Sequence, residues 1–242
     1  MSQLKFAISN KHKIAYRFTK RTKKTIVFIH GLQSDMNGKK SLFFKNLARK
    51  KSYSYLRFDC SGHGRSSGIF DELSIKDWYS DLKNVLNYLK INKNIILIGS
   101  SMGGWLAILY ALSYPNQIFK LIGLAPAPDF TERLIWPSLT DANKLNIKKK
   151  KIIKIKINKN FYYRYSYNLI FGSRKYLIKK IKKKYKGMVI FFHGSEDESV
   201  PYDYNNNLLN SNHFKNIRLI TIKNEDHSLS SRNSLKIIEK EI

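Results

Sequence analysis

The chain has 242 residues, 43% of them hydrophobic, which is ample for one large domain or two small ones. A single cysteine, Cys60, excludes a disulfide framework and a Cys-based metal cluster and fits a reducing compartment. Lys and Arg number 45 against 17 Asp and Glu, a formal charge of +28, which would suit nucleic acid or an anionic membrane surface.

No nucleic-acid motif accompanies that charge. Basic residues run from Lys5 to Lys240, with concentrations at 148–159 and 175–186, and Lys, Ile and Asn are plentiful throughout. The charge therefore reads as compositional drift, with weak binding to anionic membrane surfaces as a by-product. The first residues, Met1 to Phe6, carry neither the apolar region of a secretory signal nor an amphipathic leader. No run approaches the ~18 apolar residues of a spanning helix. The expectation is a soluble cytoplasmic protein, or one of the mitochondrial matrix if the source is eukaryotic.

In chain order, Lys13 to Phe18 alternates and predicts a strand, and Thr25 to His30 is a β-branched run suited to a strand buried on both faces. It ends at His30-Gly31-Leu32, where Gly31 lets the chain turn; His30 reads as a structural hydrogen-bonding residue. Leu42, Phe43, Leu47 and Ala48 have helical spacing within 40–51, and Ser54 to Phe58 is the next strand. The glycine-rich turn Asp59 to Gly68 could be a phosphate cradle, but it lacks the Lys-Ser/Thr of a P-loop and the spacing of a dinucleotide fingerprint. It reads instead as a structural loop, and Cys60 in it as a packed small residue. Ser74 with Asp77 signals the start of a helix over 74–92, striped by Ile75, Trp78, Leu82, Val85, Leu86 and Leu89.

The apolar run Ile95 to Ile98 leads into Gly99-Ser100-Ser101-Met102-Gly103-Gly104 and then a helix-like run, Trp105 to Leu112. Taken alone, this is a glycine turn between a buried strand and a helix. In a strand–turn–helix context, G-x-S-x-G is also the pattern of a nucleophile elbow, with Ser101 raised on a strained turn. Ser100 fits less well, having no Gly two residues before it. Leu121 to Ala125 is a further buried strand. The α/β rhythm then breaks: Thr131 to Leu139 predicts a short helix, 148–159 alternates Lys with Ile, 161–167 is aromatic, and 173–185 predicts a basic helix. A small cap insertion over about 127–172 is expected, with a surface hairpin over 148–167, unrelated to substrate, as the alternative. Met188 to Phe192 restores the sheet, Arg218 to Ile222 is the last strand, and 233–240 the closing helix.

The loop after Met188–Phe192 holds Glu196, Asp197 and Glu198, and the loop after the last strand holds His227. Ser101, Asp197 and His227 thus follow in the order Ser, acid, His, each beyond the carboxyl end of a strand, where open parallel sheets form their sites. A Ser hydroxyl needs a base to take its proton, His can do so near neutral pH, and a carboxylate can hold the imidazole tautomer. Asp197 has the best spacing from its strand; Glu196 and Glu198 are the alternatives and read as solvated. The backbone N–H groups of Leu32 and Met102 are the candidate oxyanion donors.

On Phe28 to Gly38, Arg57 to Gly64, Ile98 to Trp105 and His193-Gly194 through Val200-Pro201, the chain resembles the α/β-hydrolases over nearly its whole length. The doubled Ser and the Gly-Gly-Trp ending narrow the likeness to the branch containing abhydrolase domain-containing protein ten, a mitochondrial palmitoyl-protein thioesterase that also hydrolyses acyl glucuronides. The resemblance implies an α/β-hydrolase fold with a mostly parallel sheet. It also implies Ser101 as nucleophile, Asp197 as acid, His227 as base, and a small-molecule ester, acyl thioester or S-acylated protein as substrate. No metal or organic cofactor is implied. The basic insertion suggests an anionic leaving group. A carboxylesterase or monoacylglycerol lipase is the alternative enzyme, and a catalytically silent binding protein of the same fold the alternative of another class.

Overall fold

The computed structural model describes residues 2–21, 24–158 and 161–242. Its frame is an eight-stranded sheet in the order β1 (Lys5–Ser9), β2 (His12–Thr19), β4 (Ser54–Phe58), β3 (Thr25–Ile29), β5 (Ile95–Ser100), β6 (Ile118–Leu124), β9 (Tyr185–Gly194) and β10 (Phe214–Ile222). From β4 to β10 every pairing is parallel, while β1–β2 and β2–β4 are antiparallel. Parallel strands need covered faces on both sides, and the sequence supplies them by alternation. Val27, Ile29, Leu97, Leu121, Val189 and Phe191 join one core with α2 (Ile75–Tyr88) and α3 (Met102–Ser113). Ile26, Phe28, Ile96, Ile98, Ile122 and Ile190 join the opposite core with α1 (Lys39–Lys50) and α7 (Arg232–Lys240). This is the α/β-hydrolase fold expected from the sequence.

The expected strand and helix starts hold where the apolar period is strong. Ser74 donates both its N–H and its hydroxyl to the Asp77 carboxylate, at 3.0 and 2.9 Å, and so opens α2. Helix α3 is buried at every position but its last, as a helix apolar all round must be. The strand order turns at β3: the chain passes from β3 to β4 on one side, then crosses to β5 on the other. Such a switch point leaves a crevice at the carboxyl ends of the two strands, here between Ile29 and Ser100.

Residues 125–184 depart from the α/β rhythm. A π-helical turn over Thr131–Ile135 runs into α4 (Trp136–Ser138), followed by α5 (Asp141–Lys148), which the sequence did not signal. The Lys/Ile alternation becomes β7 (Ile153–Asn158), paired antiparallel with β8 (Phe161–Tyr165). Lys159 of the expected alternating run lies outside the described residues. The basic helix expected over 173–185 does not form. Two short 3₁₀ turns, Arg174–Tyr176 and Ile178–Lys180, give way to extended chain that enters β9 at Tyr185. A helix there would set Lys175 against Lys179, Lys179 against Lys183 and Lys180 against Lys184 with no acid to relieve them. The Asp129 carboxylate instead takes the Ile178 N–H at 2.9 and 3.1 Å. The sequence also missed β1, where Phe6 and Ile8 face solvent and Ala7 and Ser9 inward. The chain closes with α6 (Asn206–Leu209), β10 and α7.

Trp78 is fully buried and its indole N–H donates to the Ser61 carbonyl at 3.0 Å. Trp78→Ala should lower the unfolding free energy by about 3–5 kcal/mol in urea titration.

Candidate active site

Ser101 sits between β5 and α3 with φ 53° and ψ −116°, a strained backbone for a non-glycine residue. Its N–H donates to Leu124 O at 3.0 Å, and its carbonyl accepts the N–H groups of Gly104 and Ala127 at 2.9 and 3.1 Å. The flanking glycines explain the spacing. A Cβ on Gly99 would lie 2.1 Å from the Gly103 carbonyl oxygen, and one on Gly103 would lie 2.4 Å from the Ile29 oxygen. Only glycine lets β5, α3 and β3 approach this closely. Ser100, the alternative nucleophile, is buried as the last residue of β5.

Asp197 and His227 meet at the next strand ends. A Cβ on Gly194 would collide with the Glu225 carbonyl at 2.1 Å, so the loops after β9 and β10 can close on each other only with glycine there. Asp197 Oδ2 accepts from His227 Nδ1 at 2.7 Å. Asp197 Oδ1 accepts the N–H groups of Ser199 and Val200 at 2.9 and 2.8 Å. Burial opposes charge on Asp197, yet hydrogen bonds from His193 and His227, the nearby His227 and the Val200 N–H together hold its carboxyl well below the usual carboxylate range. Glu196 and Glu198 are exposed. His227 keeps a quarter of its side chain exposed, and with Nδ1 engaged its Nε2 is left to exchange a proton.

Ser101 and His227 both line two lobes of one crevice. The larger, about 470 Å³, is walled by apolar groups including Phe130, Leu134, Ile135, Tyr165 and Val200. The smaller, about 270 Å³, is more polar than the larger and contains Asp35, Lys39, Lys40 and Ser228. Leu32 lines both lobes and Met102 the larger. Met102 opens α3, where a helix leaves its N–H groups without intrahelical acceptors. The lysines at 148–156 line neither lobe; the cations of the crevice are Lys39 and Lys40. Among the described residues, no group of three or more His, Cys, Asp or Glu is placed to hold a metal ion.

Several positioning residues escaped the sequence reading. His193 Nε2 lies 2.9 Å from the Val200 carbonyl and 3.3 Å from Asp197 Oδ2, so it carries the hydrogen and braces the acid. Its only signal was a His at a strand end before an acidic loop. Lys40 donates to the Ser228 carbonyl, one residue beyond His227. Burial pushes its ammonium down to about 8, against the pull of Asp226 and Asp197. No motif marks it. His30 is structural as expected: Nε2 accepts from the Cys60 N–H at 3.0 Å and Nδ1 donates to the Gly31 carbonyl at 2.7 Å. His63 packs on it, its Nε2 accepting the Gln33 N–H at 3.1 Å. Burial, then His30, push His63 down to about 3, so it stays an acceptor at neutral pH. In the Asp59–Gly68 turn, the Ser61, Gly62 and Arg65 N–H groups donate to Asp81, Ser67 and Asp59. They are spent inside the protein, which rules out a phosphate cradle.

The family model described as serine aminopeptidase, S33 (Hydrolase_4) matches residues 20–231. The chain belongs to this family. Among relatives, it is 28% identical over 233 residues to the mitochondrial palmitoyl-protein thioesterase ABHD10 of Bos taurus, covering 93% of this chain and 74% of that one. Among solved structures, mouse alpha/beta hydrolase domain-containing protein 10 superposes with a TM-score of 0.87 at 26% identity, covering 99% of this chain and 96% of that chain. Est1E from Butyrivibrio proteoclasticus, solved with ferulic acid, shares the fold, with a TM-score of 0.79 at 21% identity over 98% and 95% of the two chains. The S33 family assignment makes this chain a hydrolase.

Gly99→Ala should cost about 3 kcal/mol or more, read by chemical unfolding, because backbone rather than a side chain blocks the methyl group. Lys40→Met should lower kcat roughly 10- to 100-fold with little change in KM, and Lys40→Arg should restore part of it, because Lys40 acts through the His227 loop. A carboxyl held below its unfolded value contributes stability fully above about pH 4, and that contribution is lost as pH falls further. The stability gap between wild type and Asp197→Asn, measured by urea unfolding, should therefore shrink as pH drops from about 5 to about 2.5.

Proposed function

We propose that this hydrolase cleaves carboxylic esters or thioesters through an acyl-enzyme on Ser101. The observation that carries the reading is the Asp197–His227 hydrogen bond of 2.7 Å on a crevice shared with the strained Ser101. His227 Nε2 takes the Ser101 proton as the hydroxyl attacks the acyl carbon, and Asp197 stabilises the imidazolium. The N–H groups of Leu32 and Met102 hold the oxyanion. His227 then returns the proton to the leaving group, activates water, and the acyl group departs as the acid.

The preferred substrate is a long-chain acyl thioester such as an S-palmitoyl protein. The apolar lobe suits an alkyl chain, and residues 127–172 act as a cap that supplies Phe130, Leu134, Ile135 and Tyr165 to its wall. The relatives named palmitoyl-protein thioesterase support the same assignment. A thiolate leaves with little help from a general acid, so a small site suffices.

The test compares kcat/KM for a palmitoyl thioester, a short-chain aryl ester and an aminoacyl anilide. The long thioester should be preferred, and Ser101→Ala or His227→Ala should lower kcat by ~10⁴ to 10⁶. Turnover of the anilide alone, or turnover indifferent to Ser101, overturns the reading.

A further inference from the structure

The positive charge is not spread evenly. Between Asp141 and Glu196 the chain has 17 Lys or Arg and no Asp or Glu. Within that stretch, the β7–β8 hairpin has two unlike faces. Ile153, Ile155 and Tyr165 pack against the core, while Lys154 and Lys156, paired with Arg164 and Tyr162, project outward. Lys148 to Lys151, just before β7, are all exposed. Large apolar side chains are exposed among these lysines: Leu145 at 51%, Ile152 at 44%, Ile157 at 52% and Tyr162 at 43%. Ile152 and Lys150 share a shallow surface depression with Ile69 and Tyr167, both exposed; Asp71 and Glu72 also line it. Asp71 is neutralised by Arg164, which leaves Glu72 here and the exposed Glu198 on the apolar lobe as the acids of this surface. Ile157 stands where the outer face meets the apolar lobe beside Ser101.

From this we infer that the outer face of the inserted segment docks peripherally on an anionic phospholipid bilayer, with the mouth of the apolar lobe toward the lipid. Among the described residues no helix is long and apolar enough to cross a membrane, so contact is by surface residues. Lysines alone would serve any polyanion. Exposed Ile and Leu beside them find no partner on a phosphate backbone but bury in the boundary between headgroups and acyl chains. Lysine stems extend that apolar surface while their ammonium groups stay among the headgroups. Glu72 and Glu198 lower the attraction without reversing it, given six exposed lysines from Lys148 to Lys156. The inference concerns binding and does not require Ser101 chemistry.

The experiment is flotation of the full chain with vesicles of phosphatidylcholine, alone or with about 30% phosphatidylglycerol, at about 0.1 M and 0.5 M NaCl. One variant carries Gln at Lys148, Lys149, Lys150, Lys151, Lys154 and Lys156. A second, of equal charge loss, carries Gln at the exposed Lys5, Lys11, Lys76, Lys93, Lys215 and Lys236. A third combines Leu145→Ser with Ile152→Ser. Wild type should float with the anionic vesicles only. The first variant should lose that binding at least about tenfold, the second should keep most of it, and the third should lose the fraction that survives high salt. Equal losses in the two lysine variants, equal binding to neutral vesicles, or no effect of the third variant would overturn the inference. So would poly(U) RNA displacing the vesicles and binding wild type and the third variant alike. Turnover of a soluble short ester is read in parallel and should stay unchanged in all three, so failure of binding is distinguished from failure of the hydrolase reading.

Discussion

The site depends on one backbone contact: β5, α3 and β3 meet where a single methyl group would not fit. Gly99 faces the Gly103 carbonyl and Gly103 faces the Ile29 and His30 carbonyls. That approach drives Ser101 into its positive-φ turn and lifts its side chain above the sheet. It also brings the loop after β3, with Leu32, to the same crevice. The strain is held by the Ser101 hydrogen bonds to Leu124, Gly104 and Ala127, so the surrounding fold maintains a conformation that the residue alone would not choose.

Around that contact, buried polar groups act as braces. His193 and two backbone N–H groups fix Asp197; Lys40 holds the loop beyond His227; His30 and His63 set the Gly31–Gln33 turn. The Gln33 side chain accepts the Arg164 N–H at 2.8 Å and donates to the Tyr162 carbonyl at 3.0 Å, clamping β8 as a neighbouring strand would. The inserted hairpin is therefore anchored one residue from Leu32. Its inner face serves the crevice and its outer face carries the lysines.

Much of this was legible in the sequence because it is written in short-range signals. Buried strands announce themselves as β-branched runs, α2 as an apolar stripe with Ser74 and Asp77 at its start, and the elbow as glycines at fixed offsets. Chain order and strand ends then placed Asp197 and His227 in neighbouring loops, and the structure joins them by a hydrogen bond. Features decided by partners distant in sequence were not legible. Strand β1 turns only Ala7 and Ser9 inward, too few for a pattern. Helix α5 buries only Ile147. The 173–185 segment has helical composition, but lysine repulsion and the Asp129 bond to Ile178 decide against a helix. Lys40 carries no motif, and His193 lies in a matching stretch that says nothing of its contact with Asp197, because their roles exist only once three loops converge. The two-faced character of the hairpin was hidden for a similar reason: the register of β7 against β8 puts Ile153 and Ile155 opposite Tyr165 and Tyr163, and Lys154 and Lys156 opposite Arg164 and Tyr162.

The central claim is that Ser101 becomes acylated during turnover, and rapid acid quenching of a palmitoyl-thioester reaction followed by mass mapping of peptides tests it most directly. The account predicts a palmitoyl adduct on Ser101 that accumulates in wild type and is absent in His227→Ala. An adduct on Ser100 or Cys60 instead, or rapid turnover with no adduct at Ser101 under any quench, would contradict it.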